Sequence, residues 1–120
     1  MNVNTRILAI GSQMNIPTYP DVMIPSEGGD YPDKYIVFLY SDERPILRGT
    51  RPIAEAATVQ VHLFTNSSPI SDKETLKQKL TDQGFVIQNI AQYHEDDTGY
   101  THLIITVWDW DTFTEASTNE

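Results

Sequence analysis

The segment that decides the fold is Phe85–Trp110, which reads FVIQNIAQYHEDDTGYTHLIITVWDW. Apolar runs rich in β-branched and aromatic residues, which favour strands, lie at both of its ends. Between them Asp97, Thr98 and Gly99 are turn-forming residues, and Gly99 can adopt a positive φ. Because two strand-like runs around a short glycine-containing turn are typical of a β-hairpin, we expect two adjacent antiparallel strands here.

The segment immediately before this hairpin, SDKETLKQKLTDQG, has the features of a helix. Ser71 and Glu74 have the spacing of a capping box, in which each side chain satisfies a backbone N–H near the helix start. Leu76 and Leu80 share one helix face, and Gly84 suits a left-handed C-terminal cap. A helix leading into an antiparallel hairpin indicates an α+β fold, with the helix packed on a mostly antiparallel sheet.

Further elements are predicted upstream of this helix. The run Lys34–Tyr40, KYIVFLY, is apolar at both alternating sets of positions, so we expect a strand with both faces covered. Ala57–Thr65 alternates apolar and polar residues and predicts a second strand. Asn4–Gln13 predicts a short helix, Ile16–Pro20 an extended segment, and Asp21–Asp33 a loop rich in glycine, proline and aspartate.

The segment between the two upstream strands, SDERPILRGTRPIAEA, predicts an irregular stretch or an extended arm over about residues 42–56. Its prolines and glycine argue against a continuous central strand. It carries three of the eight basic residues, Arg44, Arg48 and Arg51. The segment is either a solvated loop or an arm that pairs with an acidic neighbour, and a head-to-tail contact of the second kind generates rings when it closes.

The last predicted strand carries two tryptophans on one side. Trp108 and Trp110 alternate with an apolar set, Leu103, Ile105 and Val107. One set must face the helices, so the tryptophans either cap the edge of the core or contact another subunit or partner. The strand Lys34–Tyr40, which is apolar on both faces, also has more apolar surface than one covered face requires. Phe38 and Tyr40 are therefore further candidate interface residues.

Length and composition restrict the class of protein. We expect residues 1–120 to form one domain, with a flexible polar tail at 112–120. The absence of cysteine excludes thiol catalysis, thiolate metal sites and disulfides. The N-terminal apolar stretch Ile7–Ile10 is too short for a secretory signal or a membrane span, so we expect a soluble protein without membrane contact. A net charge of −9 disfavours a stable grip on phosphates, whereas like-charge repulsion would keep a nearby DNA mobile.

The stretch HEDDTGYTH, His94–His102, raises the question of a metal or catalytic site. In the hairpin interpretation it is a turn whose acids point outward, and His102 falls roughly opposite Gln92, so its histidines are diagonal neighbours at best. A metal site needs roughly three or more convergent ligands held by further partners. We expect His62 to be a surface residue on the polar face of its strand. No nucleophile elbow, phosphate-binding loop, dinucleotide fingerprint or zinc-protease motif is present, so we expect no catalytic residue, metal or cofactor.

The chain resembles the small tail terminator, or tail-completion, proteins of long-tailed bacteriophages and prophages. The resemblance is one of pattern over about residues 5–110. The segments that carry it are IPTYP at Ile16–Pro20, YIVF at Tyr35–Phe38, TVQVHLFTNS at Thr58–Ser67, DDTGYTH at Asp96–His102 and LIITVWDW at Leu103–Trp110. The arginine-containing segment at 42–56 does not align firmly with the family pattern.

The resemblance implies a structural virion protein with no catalytic residues. Such a protein forms a homo-oligomeric ring, commonly a hexamer, on the head-proximal end of the tail. It binds the tail tube protein, stops tube growth and meets the head–tail connector, while DNA passes through the lumen without sequence-specific binding. Before assembly it would reside in the host cytoplasm.

Three alternatives remain open from the residues. The chain could be another neck or head–tail connector component, or a tail tube subunit. It could be a small metal-dependent hydrolase that uses the segment His94–His102. It could also be a monomeric binding module that inhibits a basic host protein by charge mimicry, which predicts loss of binding in high salt.

Overall fold

The described part of the chain, residues 3–21 and 31–112 of a computed structural model, forms two helices and five strands. Side chains of residues 41–43 and 110–112 are not described. The elements are α1 (Val3–Met14), β1 (Thr18–Pro20), β2 (Lys34–Arg48), β3 (Arg51–Thr65), α2 (Ile70–Asp82), β4 (Val86–His94) and β5 (Thr101–Thr112). Most of the predicted loop Asp21–Asp33 and nearly all of the predicted tail 112–120 lie outside the described residues. No helix in the described ranges is long and apolar enough to cross a membrane.

The strands form one sheet in the order β1-β2-β3-β5-β4. The β2–β3, β3–β5 and β5–β4 pairs are antiparallel, and β1 alone runs parallel to its neighbour β2. The predicted α+β class with a mostly antiparallel sheet is therefore confirmed. The hairpin predicted in Phe85–Trp110 is β4–β5, and the extended segment Ile16–Pro20 contains β1, which pairs with Ile36–Phe38 of β2.

The main core lies between the helices and one face of the sheet, which we call the inner face. Alternating residues of β2, β3 and β5 point toward the helices because successive side chains of a strand lie on opposite faces. They pack against one face of each helix, including the predicted pair Leu76 and Leu80. The buried inner-face residues are Ile36, Phe38, Val59, Val61, Leu63, Leu103, Ile105 and Val107.

A glycine permits the close approach of α1 to β1. A Cβ added at Gly11 would lie 1.8 Å from Oγ1 of Thr18, far inside van der Waals contact. The chain reverses immediately after the helix, where the Ile16 N–H donates to the carbonyl of Gly11 at 3.0 Å. Glycine is unfavourable within a helix, so its presence here is explained by packing and not by helix propensity.

The start of α2 differs from its predicted capping box. The residue at the N-cap is Pro69, no side chain caps the helix, and the Lys73 N–H donates to the Pro69 carbonyl at 2.7 Å. Since the helix begins at Ile70, Ser71 lies inside the first turn and cannot act as the cap, so the predicted Ser71–Glu74 box is wrong. The predicted C-terminus is confirmed, because Gly84 has a φ of +92° and donates to the carbonyl of Thr81.

The arginine-containing segment is a β-hairpin with register shifts at Tyr40/Asp42 and Ile46/Leu47. Of the two predicted forms, an irregular stretch or an extended arm, the structure has the extended arm. β2 and β3 continue through it and pair as far as Arg48 and Arg51. Proline is tolerated at edges, and Pro45 lies on β2 beyond the three residues that pair with β1. Among the described residues, pairing of β3 with β5 ends at Ala54, so β2 and β3 are the two strands described in the hairpin beyond this point. We call residues 47–53 the arm tip.

Candidate functional site

The stretch HEDDTGYTH forms the turn between β4 and β5, as predicted. The Glu95 N–H donates to the Tyr100 carbonyl at 2.8 Å, and Gly99 has a φ of +77°. The predicted register is wrong by one residue, because His102 pairs with Tyr93 and not with Gln92. The physical reason is the length of the turn, which the residue types alone do not fix.

This register separates the two histidines of the turn segment. His94 pairs with Thr101, one position along from the His102–Tyr93 pair, so the two imidazoles lie on opposite faces of the sheet. The His94 side chain is largely exposed, and its nearest acidic partner, Asp96, is fully exposed at 3.9 Å. The segment therefore does not bring His94 and His102 together as ligands of one metal ion.

The face of the sheet opposite the helices, which we call the outer face, carries a row of neighbouring rings, stacked from Tyr31 to His102 and tilted between His102 and Tyr93. Its members come from the loop before β2 and from β2, β3, β5 and β4 in turn. Ring centroids are 5.8 Å apart between Tyr31 and Tyr35, 4.7 Å between Tyr35 and Phe64, 4.1 Å between Phe64 and His102, and 6.5 Å between His102 and Tyr93. Such spacings are those at which aromatic pairs stabilise one another beyond their buried area. We call this the aromatic row.

The aromatic row confirms part of the prediction for Lys34–Tyr40. Tyr35 and Val37 are buried in a second cluster, packed with Tyr19, Phe64 and Tyr100. The same strand buries Ile36 and Phe38 on the inner face, so the first half of β2 is covered on both sides. Coverage does not extend to Tyr40, which is 41% exposed.

A pair of histidines lies beside the aromatic row. His62 of β3 and His102 of β5 are diagonal neighbours, and Nδ1 of His62 is 2.7 Å from Nε2 of His102. The other ring nitrogen of His62 is 3.1 Å from Oε1 of Gln60, an acceptor, so this nitrogen carries the proton. Nδ1 of His62 then accepts a hydrogen bond from Nε2–H of His102. His62 lies on the polar face of its strand, as predicted, and its ring is partly buried and held on two sides.

Burial keeps both histidines neutral at pH 7. Desolvation, and then the charge of His102, lower the pKa of His62 from 6.5 to about 4. Desolvation also lowers the pKa of His102, against the opposing effect of Glu95, whose carboxylate lies 3.8 Å from Nδ1. Burial raises the pKa of Tyr35 to about 12, so its phenol stays protonated. The described residues contain no group of three or more histidine and carboxylate side chains placed to hold a metal ion.

These side chains border a shallow groove on the outer face. Its volume is about 350 Å³, and it opens widely to solvent. The phenol of Tyr100 donates to the Pro32 carbonyl and so ties the loop before β2 to the hairpin turn beside the groove. We call it the aromatic groove and define it by Asp21, Tyr31, Tyr35, His62, Phe64 and His102. It combines ring surfaces, one exposed carboxylate and two neutral imidazoles.

The predicted interface residues fall into three groups. Arg44, Arg48 and Arg51 are exposed along the arm, and Tyr40 and Trp108 are partly exposed. The backbone of Trp110 pairs with Ala56, while its side chain is among those not described. The prediction that Phe38 is an interface residue is wrong, because its side chain is 1% exposed in the main core and presents no surface to a partner. The predicted arrangement of the last strand is confirmed, since Leu103, Ile105 and Val107 face the helices.

Sequence reasoning missed the aromatic groove and the histidine pair. The available signal was the alternation of β3, which places Gln60, His62 and Phe64 on the face opposite its buried valines. That alternation identifies an outer face, but the pairing of His62 with His102 depends on the register between β3 and β5. No protein-family model matches this chain, and neither does any curated protein sequence.

Proposed function

We propose that this protein is a structural subunit that assembles with copies of itself into a ring, and that the ring acts as a phage tail terminator. The observation that carries the proposal is the asymmetry of the sheet. Its inner face is filled by the helices, whereas its outer face carries the partly exposed aromatic groove, and an arm with exposed arginines extends from the sheet. Aromatic and arginine side chains are enriched at protein interfaces.

The segments on which the resemblance rests support the proposal. IPTYP contains β1, YIVF is part of β2, and TVQVHLFTNS covers most of β3, the strand between β2 and β5. DDTGYTH and LIITVWDW are the final turn and β5. The segments with the strongest family pattern are thus the adjoining parts of one sheet, and do not come from unrelated loops.

In the proposed mechanism, one face of the ring binds the last ring of the tail tube. The other face lacks the surface on which a further tube ring would polymerise and instead meets the head–tail connector. The acidic composition suits a lumen through which DNA must slide, because like charges repel and leave the DNA mobile. On this proposal the protein performs no chemistry and needs no cofactor.

The proposal is tested by mass and by tube capping. Light scattering over a concentration series, with and without tail tubes, measures the oligomer, and negative-stain electron microscopy shows where the protein binds. We expect a closed oligomer, or rings at one end of each tube, and tubes that no longer elongate when tube protein is added. A protein that stays monomeric at every concentration and does not bind tubes contradicts the proposal.

A neck component or tube subunit is distinguished in the same experiment. A tube subunit would extend the tubes or co-polymerise along their length. A component of the head–tail connector would bind on the side of the phage head and would leave tube elongation unchanged. Only a terminator combines binding at one tube end with arrested growth.

A further inference from the structure

We infer that the arm tip of one copy docks into the aromatic groove of the next copy, with Arg48 and Arg51 placed against Asp21 and the neighbouring rings. The inference rests on the proposed ring, for which it supplies the contact between subunits. The docking contact does not depend on tube capping, because copies can bind head to tail in an assembly with a different role.

The arm tip lies well beyond the groove along the same strand. The groove is also lined by Val37 and Leu39 of β2, and Asp21 is bonded beside Phe38 of that strand. From Leu39 to Leu47, where the arm tip begins, the strand continues for eight residues, which at about 3.3 Å per residue corresponds to roughly 26 Å. A copy cannot reach its own groove, so any such contact joins two copies.

The proposed ring requires a head-to-tail form of this contact. When the arm tip of one copy binds the groove of the next copy, and its own groove receives the arm of the preceding copy, the contact is heterologous. Each copy then offers one arm and one groove, and successive copies are related by the same rotation. Heterologous contacts close into rings when that rotation divides the circle, which is the assembly proposed above.

The arm tip has the chemistry of a segment that becomes buried. Leu47 is 54% exposed and Ile53 is 38% exposed, on a two-stranded ribbon that has no described covering element. Arg48 and Arg51 are exposed and paired across the end of the ribbon, so both side chains lie on the same face of the ribbon near its tip. A partner that accepts the tip must therefore offer apolar surface together with an acceptor for arginine.

The aromatic groove offers both. Asp21 is exposed at its border, and the backbone of Asp21 is fixed by a hydrogen bond from its N–H to the Phe38 carbonyl at 2.8 Å. The ring of Tyr31, which is 52% exposed, supplies apolar surface and a face on which a guanidinium can stack. The two histidines are neutral at pH 7, so they do not repel an incoming arginine.

The chain already contains one arginine bound in this way. Arg6 of α1 lies with its Cζ 4.3 Å from the centre of the Phe85 ring, and its Nη2 is 2.5 Å from Oδ1 of Asp109. A ring face and a carboxylate thus hold a guanidinium within one copy. The groove presents the same two groups, and the arm tip presents the matching cation.

The inference is tested by exchanging charges between the two surfaces. The tip variant carries Arg48→Glu and Arg51→Glu, and the groove variant carries Asp21→Lys. We expect each variant alone to self-associate at least about tenfold more weakly than the unchanged protein, the size expected for loss of an interface hot spot. When the two are mixed, the intact arm of the groove variant meets the intact groove of the tip variant, so light scattering should show association again.

Two controls separate this contact from general charge effects and from misfolding. Glu74→Lys makes the same charge change as Asp21→Lys at an exposed position of α2, and should leave association unchanged. Circular dichroism and thermal melting should show that both interface variants fold. Recovery on mixing is itself a control, since misfolded chains do not complement one another.

A photo-crosslinking amino acid at Leu47 tests the contact directly, in solution or on tail tubes. In a mixture of isotopically labelled and unlabelled copies, we expect crosslinks between copies at the aromatic groove. If both variants associate like the unchanged protein and crosslinks map elsewhere, the docking inference is overturned while the ring proposal stands. If the unchanged protein associates with crosslinks at the groove but does not cap tubes, the proposed function fails while the docking inference stands. If it neither associates nor caps tubes, both fail.

Discussion

Replacing His62 with glutamine should change how the stability of the protein depends on pH. The imidazole of His62 accepts a hydrogen bond from His102 and donates one to Gln60. A glutamine side chain has both an acceptor and a donor, so it can satisfy the same partners without titrating. His62→Gln therefore removes a titration from the folded protein with little change in shape.

The expected magnitude follows from the pKa of His62. Its decrease from 6.5 to about 4 means that protonation favours the unfolded chain. The difference amounts to at most about 3.4 kcal/mol between the two protonation states. Because the ring is only partly buried, screening by solvent reduces this to about 1–2 kcal/mol. Above pH 6.5 the His62 ring is neutral in both the folded and the unfolded chain, so folding carries no cost of deprotonation. As the pH falls from 6.5 toward 4, the unfolded chain takes up this proton first and the folded protein loses stability.

The measurement is denaturant unfolding followed by tryptophan fluorescence at several pH values between 7 and 4. We expect the unchanged protein to lose about 1–2 kcal/mol more than His62→Gln across this range, since both chains share the titrating acids. His94→Gln removes an exposed histidine outside the pair and should follow the unchanged protein. Parallel pH profiles for the unchanged protein and His62→Gln would refute the buried histidine pair.

Three substitutions test the packing between the helices and the sheet. Gly11→Ala should destabilise the protein by about 1–3 kcal/mol in thermal melts, because the added methyl group would clash with Thr18 even though alanine favours helices. The control Ser12→Ala, at the exposed neighbouring position, should be neutral or stabilising. Leu76→Ala should cost about 2–5 kcal/mol in denaturant unfolding, and Leu8→Ala, at a partly exposed position of α1, clearly less. Arg6→Ala should cost about 2–4 kcal/mol in denaturant unfolding, because Asp109 is left partly buried without its arginine. If this variant is as stable as the unchanged protein, the Arg6–Asp109 ion pair is not formed.

Local sequence patterns predicted most of the fold. Leu76 and Leu80 at helical spacing, and the alternation of Val59, Val61 and Leu63, identified the buried faces that the structure contains. These predictions succeed because a helix or strand that buries one face imposes its own period on the sequence. The turn at Gly99 was also correct, since few residues adopt a positive φ without strain.

The errors concern features that residue types alone do not fix, namely where a helix starts, which strand lies at the edge and which face is covered. Ser71 and Glu74 have the spacing of a capping box, yet the helix starts one residue before Ser71. The arm looked irregular because Pro45 disfavours central strands, but its position at the edge of the sheet removes that conflict. Phe38 looked like an interface residue because nothing in its own strand shows which face the helices will cover.

The sequence by itself determined the α+β class, the positions of the main helices and strands, and the absence of thiol chemistry. Each of these depends on residues close together in the chain or on composition alone. Only the tertiary structure decided that His62 meets His102, that a row of rings crosses the outer face, and that the arm tip lies well beyond the groove. The physical reason is register, because a shift of one residue between two strands would place either histidine on the other face of the sheet.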